Sequence, residues 1–220
     1  LRRGDWYFFT RNDGLQPQPT LYRRPVAGGD DEVVLDPNNL SEDGTVAVMT
    51  QSFTADGSLL AFSTAEAGSD WQTARVLDVE TGRQLSDELQ WIKFTSLAWT
   101  PDGSGIYYSR YPAPGELPDA PPSTHQRVYL HRLGTAQAED ELVYARPDAP
   151  DLGFQPAITD DDELLVLHGW EGTDTRNRLY YRPLAEEGDF VRLLDDFDAN
   201  NHHNGHESGK LYLLTEHEAP

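Results

Sequence analysis

Three stretches of this 220-residue chain carry side chains whose types could do chemistry. Gly205-His206-Glu207-Ser208-Gly209 places a serine near a histidine. A nucleophile elbow needs Gly-x-Ser-x-Gly, with the serine on a strained turn from strand into helix. Here the serine is displaced by one position and no helical pattern follows, so the stretch reads as a turn. His202, His203 and His206, with Asp196, Asp198 and Glu207 nearby, offer imidazoles and carboxylates to a metal. Such ligands must converge at about 2 Å with an ordered outer shell. Adjacent residues of a strand face opposite sides, so His202 and His203 cannot converge, and a hydrated loop or distorted strand is expected instead. Asp160-Asp161-Asp162-Glu163 is acidic enough for calcium, yet lacks the alternating ligands and the glycine of a calcium loop. It stands where other repeats of the chain have Asp-Gly, and a hairpin turn is expected. Neither a metal nor a cofactor follows from these stretches.

The elements that would position such residues are short strands. Residues 51–91 read as four strands joined by tight turns at Ala55-Asp56-Gly57, Ala67-Gly68-Ser69 and Glu80-Thr81-Gly82; glycine supplies the positive φ that such turns require. Four antiparallel strands cannot bury both faces alone, so the unit must stack on copies of itself. Copies exist. The inner strand with its turn recurs at 96–103 and 156–162, and the second strand at 5–10, 105–110, 163–169 and 210–215. The third recurs at 20–24, 127–133 and 177–183, and the outer one at 32–36, 140–145 and 189–194. A period of roughly 45–60 residues belongs to β-propeller blades. The expected fold is all-β, a partial propeller of four-stranded antiparallel blades. Its blades fall near 1–45, 46–92, 93–147 and 148–198, with an incomplete fifth at 199–220. Blade one is expected to lack its inner strand, and Tyr111 to Ser123, with five prolines, to form an extended surface loop.

The formal net charge of −21 at pH 7 weighs against binding a phosphate backbone. No apolar run reaches transmembrane length. The chain has no cysteine, which is compatible with the cytoplasm.

Several short blocks, in order and with matching gaps, resemble the propeller of the prolyl oligopeptidase family. They include Gly4-Asp5-Trp6-Tyr7-Phe8-Phe9, Gly68-Ser69-Asp70-Trp71, Lys93-Phe94-Thr95-Ser96-Leu97-Ala98-Trp99-Thr100, His131-Arg132-Leu133-Gly134-Thr135 and Asn177-Arg178-Leu179-Tyr180-Tyr181. The resemblance implies a cytosolic-type serine peptidase that cuts short peptides after proline. In that family a seven-bladed propeller covers the active site of an α/β-hydrolase domain and restricts entry. This chain would then hold about four and a half blades, with the Ser-Asp-His triad outside it, and would be inactive alone. The resemblance further implies that Phe94, Phe154 and Thr173 line the substrate cavity. It also implies that Asp70 orients a substrate-binding arginine of the hydrolase domain. Ordinary blade core is the alternative for Phe94 and Phe154, and a turn residue for Asp70. The expected partners are short proline-containing peptides and the hydrolase domain. Two other readings share this propeller: a free-standing interaction module and a related peptidase of different specificity. The Trp-Asp pair of WD40 repeats is missing and Gly-His does not recur along the repeats, which counts against the former.

Overall fold

The computed structural model describes residues 1–66, 68–186 and 188–217. Its strands pair antiparallel and fall into four sheets. The first contains β1 (Arg2–Arg3), β2 (Trp6–Arg11), β3 (Thr20–Pro25) and β4 (Glu32–Leu35), in that order. The second runs through β5 (Val46–Phe53), β6 (Leu59–Glu66), β7 (Gln72–Asp78), β8 (Gln84–Trp99), β9 (Gly105–Arg110), β10 (Arg127–Arg132) and β11 (Glu141–Tyr144). The third holds β12 (Leu152–Ile158), β13 (Leu164–Glu171), β14 (Arg178–Pro183) and β15 (Val191–Leu194). The fourth is the hairpin of β16 (Asn201–Glu207) and β17 (Lys210–Thr215). No helix among the described residues is long and apolar enough to cross a membrane.

The cores lie between consecutive blades, as a propeller requires. One, with Ala61, Val76, Leu89, Leu97, Ile106 and Tyr108, lies between the two halves of the second sheet, and the others between consecutive sheets. Phe8, Leu21 and Leu35 of the first sheet pack with Phe53, Leu60 and Phe62 of the second. Tyr107, Val128 and Leu130 meet Leu152, Phe154 and Leu165 of the third. Leu164, Val166 and Leu179 meet Leu211 and Leu213 of the fourth. The second strands β6, β9 and β13 are therefore covered on both faces. Six consecutive residues of β6 are buried, which explains their unbroken run of apolar and small side chains. The outer strands β4, β11 and β15 are exposed at half or more of their positions, and each carries one charged residue, Glu32, Glu141 and Arg192.

Two features differ from expectation. The first blade has a strand in its inner position, the two-residue β1. Gly4 (φ +51°) turns it back so that Arg2 pairs with Tyr7. The outer strand of blade two and the inner strand of blade three, expected to separate near residue 92, are one strand. Ile92 of β8 pairs with Gln72 of β7 on one side and Arg110 of β9 on the other. Ile92 is fully buried, and extended pairing there satisfies its backbone where a loop would leave it bare.

One end of the molecule is built from a repeated turn. Thr54 donates to Asp56 Oδ1 (2.6 Å), Thr100 to Asp102 Oδ1 (2.7 Å) and Thr159 to Asp161 Oδ1 (2.7 Å). Ser58 and Ser104 close the first two turns by donating both backbone N–H and hydroxyl to the same aspartate. Inner strands run from here toward the opposite end. They line a hollow of about 360 Å³ between Ser52, Ser96 to Pro101 and Pro156 to Asp160. The opposite end carries the residues singled out by resemblance.

Candidate functional site

That opposite rim is centred on a bend in β8. Trp91 (φ +61°) and Phe94 (φ +54°) both adopt the left-handed conformation, at a cost of about 1–2 kcal/mol each for non-glycine residues. The surroundings hold them there. Tyr111 N–H donates to the Trp91 carbonyl (3.0 Å), and buried Gln126 donates from Nε2 to the Lys93 carbonyl (2.8 Å). The Oε1 of the same Gln126 accepts the N–H of Phe154 (2.5 Å), tying the bend to β12. The Phe94 ring is consequently presented outward, 45% exposed.

Around it stands a small aromatic and charged group. Trp170 meets Phe94 edge to face, with centroids 5.7 Å apart. Lys93 Nζ lies 4.9 Å over the Phe94 ring and 5.5 Å over Trp71, and pairs with Asp70 Oδ2 at 3.3 Å. Trp71 contacts Trp91 and Tyr111 edge-on, beside a cavity of about 320 Å³ closed by the proline-rich loop. Trp170 reaches Phe94 because its cross-strand partner is Gly153. A Cβ at Gly153 would stand 2.1 Å from the indole ring. The indole Nε1 is buried with no hydrogen-bond partner.

Asp70 and Phe94 are thus joined through Lys93, and Asp70 has a lysine as its partner here. Thr173 is exposed in the turn after β13, three residues beyond Trp170 and beside Gly172 (φ +58°). Phe154 stands apart from the exposed group. It has no exposed surface and packs edge-on against Tyr144 at 5.3 Å, beneath the rim in the core between sheets. Such burial is what the blade-core alternative expects, with the ring filling the space beside Gly169 of β13. Lys93, Trp170 and Gly153 escaped sequence reasoning. The signal available was a glycine interrupting an otherwise bulky strand, which marks a close approach.

Serine chemistry finds no pair to use in these stretches. Ser208 (φ +53°) occupies the turn of the β16–β17 hairpin, as expected. Thr124 Oγ1 touches His125 Nδ1 at 2.9 Å but already donates to the Pro121 carbonyl at 2.7 Å. Asp160 to Glu163 form the expected turn, with Asp162 (φ +61°) taking the place of glycine. The histidines do not gather as a trio: His202 is exposed, His203 meets His168 and His206 meets Asp161.

Sheets stacked face to face around inner strands define a partial β-propeller. The family model for the prolyl oligopeptidase N-terminal β-propeller domain matches residues 1–220, and the chain belongs to that family. It is 38% identical over its whole length to a prolyl endopeptidase of Elizabethkingia meningoseptica and covers 31% of that protein. It is 32% identical to a prolyl oligopeptidase A of Galerina marginata over 98% of the chain and 33% of the relative. A solved prolyl endopeptidase, described in a study of inter-domain dynamics in catalysis and specificity, superimposes with a TM-score of 0.87. That match has 32% identity over 97% of this chain and 30% of the other. Prolyl oligopeptidase B of Galerina marginata, solved with a 25-residue macrocyclization substrate, gives 0.84 at 26% identity, covering 96% of this chain and 33% of that one. The chain spans about a third of the length of these relatives.

Proposed function

We propose that this chain is the propeller of a serine endopeptidase that cleaves short peptides after proline, and that its Phe94 rim screens what reaches a catalytic α/β-hydrolase part. Names of relatives along the whole chain support the peptidase class. The observation that carries the role of the rim is Phe94 itself: a large aromatic held exposed in a strained backbone by buried Gln126. Proteins place such strain where function uses it. An exposed aromatic beside an ammonium offers an apolar wall to a peptide side chain and a charge to its carbonyl or carboxylate. In this reading Thr173 lines the same cavity, and Asp70 holds a cation that meets the substrate side.

The test compares Phe94→Ala with Phe154→Ala in the complete enzyme. Phe94→Ala should lower kcat/KM for peptides with a bulky residue upstream of proline by about tenfold to a hundredfold. That loss corresponds to roughly 1–3 kcal/mol of apolar contact. Minimal substrates should be nearly unaffected and the melting temperature almost unchanged. Phe154→Ala opens a core cavity and should cost about 3–5 kcal/mol of stability while treating all substrates alike. Equal losses on long and short substrates for Phe94→Ala would sink the screening role.

A further inference from the structure

Two stretches that each fail as a metal site in the sequence meet across the seam between the third and fourth sheets. His206 of β16 reaches the turn that follows β12. Its Nδ1 lies 2.7 Å from Asp161 Oδ2 and 3.4 Å from Glu163 Oε2. One ligand atom from each of the three lies within 4.8 Å of the other two. We propose that Asp161, Glu163 and His206 form a binding site for a first-row divalent metal ion, Zn²⁺ fitting best, that fastens the fourth blade to the fifth.

The donor set is one imidazole and two carboxylates, a mixture that suits Zn²⁺ better than the all-oxygen shells of Ca²⁺ or Mg²⁺. Ligands about 2.0–2.1 Å from a tetrahedral Zn²⁺ stand about 3.3 Å from one another. The His206–Glu163 separation already matches, and the His206–Asp161 pair must open by well under 1 Å. The imidazole is pre-positioned: its side chain is only 6% exposed, with Nδ1 turned to both acids. Among the described residues no lysine or arginine pairs with either carboxylate, so the cluster carries negative charge without a fixed cation. Thr159 Oγ1 donates to Asp161 Oδ1 at 2.7 Å, which fixes the carboxylate with its other oxygen, Oδ2, toward the imidazole.

The equivalent turns show that blade four is unusual here. Where Ser58 and Ser104 donate hydroxyls to their aspartates, blade four has Glu163, a second acceptor. The site opens on a cavity of about 790 Å³ lined by Leu164, Tyr181 and Leu211, which gives an ion access while walling one side against water.

Equilibrium dialysis of the intact protein against Zn²⁺ alone tests this, beside thermal melts with and without the ion. The expected result is one Zn²⁺ per chain and a melting temperature that rises by several degrees in excess Zn²⁺. His206→Ala should weaken binding by more than ~100-fold, beyond the ~10–100-fold typical of losing an outer partner. Glu163→Gln changes an exposed, same-sized side chain, so it folds and should weaken binding too. His203→Ala should leave binding intact. Absence of bound Zn²⁺, unchanged binding in Glu163→Gln, or loss in His203→Ala would overturn the proposal, the last by moving the site to the His168–His203 pair.

Discussion

Both nitrogens of His131 meet carboxylates. Nδ1 stands 2.7 Å from Asp140 Oδ1 and Nε2 3.0 Å from Asp87 Oδ1, and all three side chains are 3% exposed or less. Tyr108 donates its hydroxyl to Asp140 and Gly134 its N–H to Asp87, so the acids are held from the far side as well. Burial pulls the imidazole pKa down, but the hydrogen bonds to Asp140 and Asp87 outweigh it and the pKa is raised. A raised folded value means that this stabilisation is complete below the unfolded value of about 6.5 and is lost as pH rises through the folded one. His131→Ala leaves two buried carboxylates uncompensated and should cost about 3–5 kcal/mol. Urea titrations of wild type and variant should show that gap narrowing from pH 5.5 to pH 9. A gap that widens instead would mean that the ring is held neutral. None of this was legible in the sequence, because His131 and Asp87 are 44 residues apart and on different strands.

Between elements, the seam of β13 and β16 shows the opposite pH behaviour. His168 Nε2 and His203 Nδ1 are 2.7 Å apart, and one proton must serve both. Burial first, then the neighbouring charges of His203 and His202, pushes His168 down to about 4; burial likewise lowers His203. Between about pH 4 and 6.5 the unfolded chain therefore binds more protons than the folded one. Stability rises with pH across that window, and acid costs up to about 3 kcal/mol through His168. His168→Phe should flatten this part of the stability curve, while a profile identical to wild type would remove the pair from the account. Strands and turns themselves were readable, because their causes are local. Thr159 and Asp161 close a turn within three residues, and β6 shows its two-sided burial as a run of apolar and small side chains. Contacts across a seam join residues far apart in sequence, as with His206 and Asp161, 45 positions apart. For the same reason composition could not tell exposed Phe94 from buried Phe154. The stub β1 was missed because two arginines before a glycine carry no strand pattern.

For the whole molecule, what matters is how blades are joined. Other neighbours meet through side chains and a connecting loop, with Ser96 Oγ donating to the Pro156 carbonyl as an added tie between the inner strands of blades three and four. β8 is different in kind. It is hydrogen-bonded to β7 along its first half and to β9 along its second, so it belongs to both blades at once. Mechanically it is a bent beam, its bend at Trp91 and Phe94 clamped by the hydrogen bonds from Tyr111 and Gln126. Loop-connected blades can swing apart by rupturing side-chain packing, but parting blades two and three also breaks the backbone pairs on both sides of Ile92 and the bond to the Trp91 carbonyl. They should open as one cooperative unit in native-state hydrogen exchange. Ladder amides on either side of Ile92 should then share a single opening free energy, and two separate values would contradict this. The propeller accordingly has one fewer independently moving part than it has blades, and any breathing that admits a ligand is confined to the other seams.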